Sequence, residues 1–145
     1  MKVGIGEPYF DSIESKISSL VFSVPGVKGI EFGVGFEFSR YNGSEANDSI
    51  ILRDNKIVMA SNNNGGINGG ISNGEDIVFR CAVKPTPSIK KSQNTVDLKN
   101  NIPTILNIEG RHDPCIVDRA RLAIEACASI ALVDLYLEEY GRKWM

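Results

Sequence analysis

Residues 61–74 read SNNNGGINGGISNG, and this run restricts the architecture of the chain more than any other stretch. Glycine and asparagine take positive φ at many points and can turn backbone N–H groups toward a ligand. A flexible linker is the other reading, and composition alone favours it. The segments on either side argue against a linker, because both have the alternation of strands and the second delivers the chain to a stiff, polar loop.

Upstream, Pro8 to Ser23 place Phe10, Ile13, Ile17, Leu20 and Val21 at helical spacing, with Pro8 suited to a first turn, which predicts an amphipathic helix. PGVKG then interrupts it. From Ile30 the period becomes two: Ile30, Phe32, Val34, Phe36 and Phe38 alternate with Glu31, Gly33, Gly35, Glu37 and Ser39, which predicts one long strand with an apolar face. Ile50 to Met59 predict a hairpin turning at Asp54 and Asn55. After the glycine-rich run, Ile77, Phe79, Cys81 and Val83 alternate with Val78, Arg80 and Ala82 in a further strand. A strand is also expected at Thr104 to Ile108, and a last helix over roughly Val117 to Tyr140 with Ala120, Ile124, Cys127, Ala131 and Leu135 inside.

A chain of 145 residues with 42% hydrophobic residues has the size and core material of one domain. Sixteen basic residues against eighteen acidic ones leave a formal net charge of -2, no basis for binding nucleic acid or an anionic membrane. The opening MKVGIGEPYF lacks the apolar stretch of a signal peptide, so a cytoplasmic protein is expected. The most hydrophobic run, Leu122 to Leu137, contains Glu125 and Asp134, is shorter than the roughly 20 apolar residues of a membrane span, and predicts a buried helix. Cys81, Cys115 and Cys127 are odd in number and widely spaced, as suits reduced thiols, and without a CxxC pair no structural zinc site is expected.

Two short motifs carry chemistry. In KPTPSI (84–89), Pro85 and Pro87 fix φ and hold the hydroxyls of Thr86 and Ser88 on a stiff loop beside Lys84, an arrangement suited to an anion. A plain rigid exit from a strand explains the same residues equally well. GRHDPC (110–115) holds the only histidine of the chain. One imidazole is too few for a metal site, and a thiol nucleophile at Cys115 would need His112 within hydrogen-bond reach across a proline-containing turn. A third reading has Arg111 clamp a phosphate or carboxylate while Asp113 handles a proton, orients a ring or caps the following helix. Helix capping by Asp113 alone is the structural alternative.

The ordered set of motifs resembles the C-terminal part of chorismate synthase: GIGEP.FD at 4–11, VKGIEFG.GF at 27–36, GSE.ND at 43–48, NNGGINGGISNG at 63–74, KPTPSI at 84–89 and GRHDPC at 110–115. The resemblance covers nearly the whole chain. It implies an α+β fold, a layered β-α-β type sandwich of which residues 1–145 are a single partial domain. It implies a lyase that converts 5-enolpyruvylshikimate 3-phosphate to chorismate by 1,4-elimination of phosphate with reduced FMN, in a homotetramer. Carried over by position, Lys84, Pro85, Thr86, Pro87, Ser88 and Arg111 contact FMN, Gly69 gives backbone access, and Pro25 and Gly26 lie beside the flavin. Arg111 also sits near the substrate anions, and Asp113 matches the aspartate implicated in moving the substrate proton. With this resemblance the glycine-rich run becomes a site loop rather than a linker.

The family's N-terminal half carries two proton-donating histidines that are absent here, and His112 is neither of them. Met1 opens close to a mid-protein junction of the family, as an internal or truncated start would. Two functional classes therefore stand: an enzyme polypeptide whose pocket is completed by an N-terminal half, or a non-catalytic FMN-binding or oligomerising remnant. In either case the aromatic face of Ile30 to Phe38 is expected to be left uncovered.

Overall fold

The computed structural model describes residues 1–113 and 115–141; Pro114 of the GRHDPC motif and residues 142–145 lie outside the described residues. Two helices form the centre of the core. α1 (Ile13–Val21) begins at Ser12, whose side chain accepts from the Ser15 N–H at 3.1 Å. Ile13, Ile17 and Val21 are fully buried on one face. α1 starts later than its apolar spacing predicts. Tyr9–Asp11 form a separate 3-10 turn with Tyr9 at φ 69°, and Phe10 is 91% exposed instead of lying on the apolar face. The Ser12 cap supplies the helix start, so the residues before it are released from the helical period.

Against α1 packs the long C-terminal helix (Val117–Gly141), with Ala120, Ile124, Ala128, Ala131 and Leu135 buried. At the edge of this contact Lys16 Nζ lies 3.0 Å from Glu138, 3.2 Å from Asp11 and 3.6 Å from Asp134. Hydrogen bonds to Glu138 and Asp11 hold the Lys16 ammonium well above its usual pKa. The expectation of a wholly buried C-terminal helix is corrected: Leu122, Ile130, Val133 and Leu137, on the face away from α1, are 57 to 63% exposed. The helix is apolar on two faces, and the described residues cover one.

The strands make four separate antiparallel ladders, giving the expected α+β class. β1 (Val27–Phe32) pairs with β6 (Phe79–Val83), setting Glu31 beside Arg80 in a 2.9 Å ion pair and the Phe32 and Phe79 rings 5.8 Å apart. β2 (Ile50–Arg53) and β3 (Lys56–Met59) form the predicted hairpin, with Asp54 and Asn55 both in the left-handed region. This is the backbone of a two-residue turn matched to strand twist. β4 (Ile67–Asn68) and β5 (Ile71–Ser72) turn through Gly69 and Gly70 in the same way. β7 (Gln93–Asp97), not foreseen in the sequence, pairs with β8 (Ile102–Leu106), which begins two residues before the expected Thr104.

The predicted strand from Ile30 to Phe38 is also corrected. It stops at Phe32, and residues Gly35–Arg40 wind into a 3-10 helix. Gly33 takes φ 58°, its N–H donates to the Val78 carbonyl, and the next N–H, from Val34, donates to the Asn63 carbonyl, both at 2.8 Å. A Cβ on Gly33 would overlap the Asn63 carbonyl. The chain therefore leaves the strand to let two backbones meet. Ile30 and Phe32 pack on the core, while Phe36 is 82% exposed, so the continuous aromatic face does not form.

The glycine-rich run is held, not loose. Asp48 accepts hydrogen bonds from the Ser61 hydroxyl (2.7 Å) and the N–H groups of Asn63 (2.7 Å) and Asn64 (2.9 Å). Asn62 accepts from the Gly66 N–H and donates to the Asp76 carbonyl. Buried Ser72 accepts from the Ile5 N–H and donates to the Lys2 carbonyl, fastening the N-terminal segment.

Burial pushes the Asp48 carboxyl up, but the hydrogen bonds from Asn64, Ser61 and Asn63 outweigh it and leave the pKa below the ordinary value. A depressed folded pKa means stability that is present above the unfolded value of about 4 and lost as pH falls through the folded one. Thermal melts between pH 3 and 7 should show this loss in the parent and a flatter profile in Asp48→Asn. At neutral pH that variant should be less stable by about 1–3 kcal/mol, as for hydrogen bonds to a charged group. Gly33→Ala should cost at least about 1–3 kcal/mol in denaturant unfolding, since its φ and its contact with Asn63 are both closed to a side chain.

Candidate active site

The candidate site lies where β6 ends and the C-terminal helix, α3 in chain order after the short α2 (Gly43–Ala46), begins. At the exit of β6 the Lys84 N–H donates to the Gly26 carbonyl at 2.7 Å. The Pro25–Gly26 turn between α1 and β1 thus backs the Lys84–Ser88 loop. Gly26 has φ 94°, and a Cβ there would come within 3.2 Å of the Ile116 side chain, just ahead of α3. Lack of a side chain at Gly26 lets three segments meet.

Two hydrogen bonds join the loop to the GRHDPC segment. Ser88 Oγ lies 3.0 Å from His112 Nδ1, and Thr86 Oγ1 donates to the Asp113 carbonyl at 3.4 Å. Asp113 also reaches α3, where its Oδ1 accepts from Arg119 Nη2 at 2.9 Å. Arg119 was not foreseen; the only signal was a cation in the first turn of the helix that follows the motif. Asp113 Oδ2 has no hydrogen bond among the described residues.

Lys84 and Arg111 are exposed, and the side chain of neither makes a hydrogen bond or ion pair among the described residues. Two unspent side-chain cations thus sit on segments held together by two hydrogen bonds, with the half-buried Thr86 and Ser88 hydroxyls on the same loop as Lys84, residue types suited to an anion. Pro85 and Pro87 are exposed and serve through their fixed φ. His112 directs Nδ1 to Ser88 and not to Cys115, which removes the support for a thiol–histidine pair.

Gly69 stands apart. It is exposed in the β4–β5 turn with open space where its Cβ would be, while the adjacent Gly70 carbonyl accepts from Ile13 N–H. No hydrogen bond among the described residues links that turn to the Lys84–Ser88 loop. The structure therefore brings together Pro25, Gly26, Lys84–Ser88 and Arg111–Asp113, and leaves Gly69 on a separate hairpin.

Comparison with known proteins agrees with the order of the six motifs. Residues 1–137 match the chorismate synthase family model. Chorismate synthase of Archaeoglobus fulgidus is 52% identical over 134 residues, covering 92% of this chain and 37% of that protein. Its counterpart from Dehalococcoides mccartyi is 50% identical over 137 residues, covering 94% of this chain and 38% of that protein. A crystal structure of chorismate synthase superimposes with a TM-score of 0.74 at 32% identity, covering 96% of this chain and 35% of that one. The layered α+β fold is thus shared, and the chain spans little more than a third of the length of these relatives. With the family model matched over almost all of its residues, the chain belongs to the chorismate synthase family.

Proposed function

We propose that residues 1–145 are a single partial domain that contributes the cofactor-loop side of a chorismate synthase site. The observation that carries this reading is the joining of the Lys84–Ser88 loop to Arg111–Asp113 by hydrogen bonds, with both cations unspent. The donor set fits the anionic end of FMN: an ammonium, a guanidinium and two hydroxyls suit a phosphate. Lys84, Thr86, Ser88 and Arg111 would hold the cofactor, Pro25, Gly26, Pro85 and Pro87 would shape its seat, and Gly69 would lend backbone from its hairpin. Reduced FMN, when bound, supplies an electron-rich partner without net redox change.

In the proposed reaction, 5-enolpyruvylshikimate 3-phosphate loses phosphate as its C–O bond breaks. The electrons of a C–H bond four atoms away reorganise into the new diene of chorismate. Arg111 lies near the substrate anions and neutralises the charge that gathers on the departing phosphate, an effect strongest in a site closed to water. Asp113 receives the substrate proton on its open Oδ2 while Arg119 holds Oδ1.

The pocket is completed by residues beyond these 145, from the N-terminal part of the family chain, further copies in a homotetramer, or both. The uncovered face of α3, with Leu122, Ile130, Val133 and Leu137 exposed, supports such a partner. Among the described residues no helix is long and apolar enough to cross a membrane. A second reading is a non-catalytic FMN-binding or oligomerising remnant or subunit, whose oligomerising form the exposed apolar face of α3 favours.

Anaerobic assay of chorismate formation with reduced FMN separates the two readings. The chain alone should be inactive, and adding the N-terminal part of a relative should restore turnover; inactivity of the mixture would leave the remnant. In the restored enzyme, Arg111→Ala should lower kcat about 10²–10³-fold, as for loss of a group that stabilises developing negative charge. Asp113→Asn should lower kcat by about 10²–10⁴-fold, with little change in FMN affinity.

A further inference from the structure

His112 is the residue between the proposed clamp and the proposed proton acceptor, and neither the motif nor the reaction gives it a task. Its ring is half-buried, with Nδ1 at 3.0 Å from Ser88 Oγ and Nε2 buried without a partner among the described residues. The hydrogen bonding of the imidazole is therefore committed to Ser88. The companion contact, Thr86 Oγ1 to the Asp113 carbonyl, is longer at 3.4 Å and exposed. The Ser88–His112 bond is the shorter and better shielded of the two.

We propose that His112 is a positioning residue whose Nδ1, bonded to Ser88, holds the Lys84–Ser88 loop against Arg111–Asp113 so that Lys84 and Arg111 face one anion. The inference rests on the reading of these segments as a cofactor and substrate site. The prolines extend the effect of this anchor along the loop. With φ fixed at Pro85 and Pro87, the loop has few soft torsions between Lys84 and Ser88, so fixing Ser88 also restricts Thr86 and Lys84. Arg111 and Asp113 adjoin His112 in the chain, so their backbone follows the ring. The Ser88 hydroxyl donates to or accepts from Nδ1 with either neutral tautomer.

The test uses the 145-residue chain with His112→Ala, His112→Asn, His112→Gln and Ser88→Ala. Hydrogen exchange is read at the amide of Lys84, which donates to the Gly26 carbonyl at the foot of the loop, and oxidised FMN affinity by fluorescence. Losing one neutral hydrogen bond should speed exchange about fivefold in His112→Ala and Ser88→Ala and weaken FMN binding by a similar factor in His112→Ala. An asparagine amide falls near the place of Nδ1 and should restore protection; a glutamine amide falls near the place of Nε2 and should not. Unchanged exchange in Ser88→Ala, or rescue by glutamine in preference to asparagine, overturns the inference. Should His112→Ala fail to fold, Ser88→Ala, which loses only a hydroxyl, decides the matter. Absence of FMN binding by the parent chain even with the N-terminal part of a relative added would overturn the site reading, and the exchange measurements would still decide whether His112 anchors the loop.

Discussion

The contact between α1 and α3 is the interaction on which the rest of the structure depends. Ile13, Ile17 and Val21 bury completely against a helix whose facing positions include Ala120, Ala128 and Ala131, small enough to let the two helices approach. Burying each of these large aliphatic side chains contributes about 1.5–3 kcal/mol. The ladders have no comparable source of stability, because each is only two strands wide and such a pair is marginal alone. Two of them persist by resting on the helix pair: Val27 of β1 and Ile67 of β4 belong to the same buried cluster, and Ile30, Phe32, Phe79 and Val83 pack against it, whereas β2–β3 and β7–β8 place no residue in it. The same contact places the candidate site, since the C-terminal end of α1 leads into Pro25–Gly26 and the N-terminal end of α3 is fed by Arg111–Asp113.

A second constraint is the close meeting of backbones. Gly33 and Gly65 lie where a Cβ on either would collide with main chain, so the turn after β1, the glycine-rich run and the segment before β6 are locked together. Asp48 holds the near end of that run through a hydroxyl and two backbone N–H groups. A stretch with the composition of a linker becomes ordered because its polar backbone groups find partners within the protein. The glycines are required there by space as much as by φ.

Period and turn chemistry made several elements legible in advance. Asp54-Asn55 marked the β2–β3 hairpin, and the spacing of Ile13, Ile17 and Val21 marked the buried face of α1. The same reasoning failed where alternation continued past a backbone junction: Phe36 and Phe38 kept the period of a strand, yet Gly33 and Gly35 turn the chain into a 3-10 helix. It also failed at β7, whose Gln93–Asp97 has weak patterning and whose ladder partner supplies the hydrogen bonds. Within the site, the KPTPSI loop and the RHD triplet were recognisable as candidate anion-binding and proton-handling groups. Their junction was not, because Ser88 and His112 are 24 positions apart and no local pattern records a contact made by folding.

The sequence by itself determined the family, through six motifs in order, together with the helices, the first hairpin and the residue types available to an anionic ligand. These are properties of composition, spacing and local backbone preference, and they survive in a linear text. Tertiary structure alone decided that Asp113 pairs with Arg119, that His112 turns to Ser88, that Gly69 sits on a hairpin apart from the Lys84–Ser88 loop, and that one apolar face of α3 is left uncovered by the described residues. Each of these depends on distance and orientation between segments remote in the chain, which are set by how the helix pair packs and by where glycines let backbones approach.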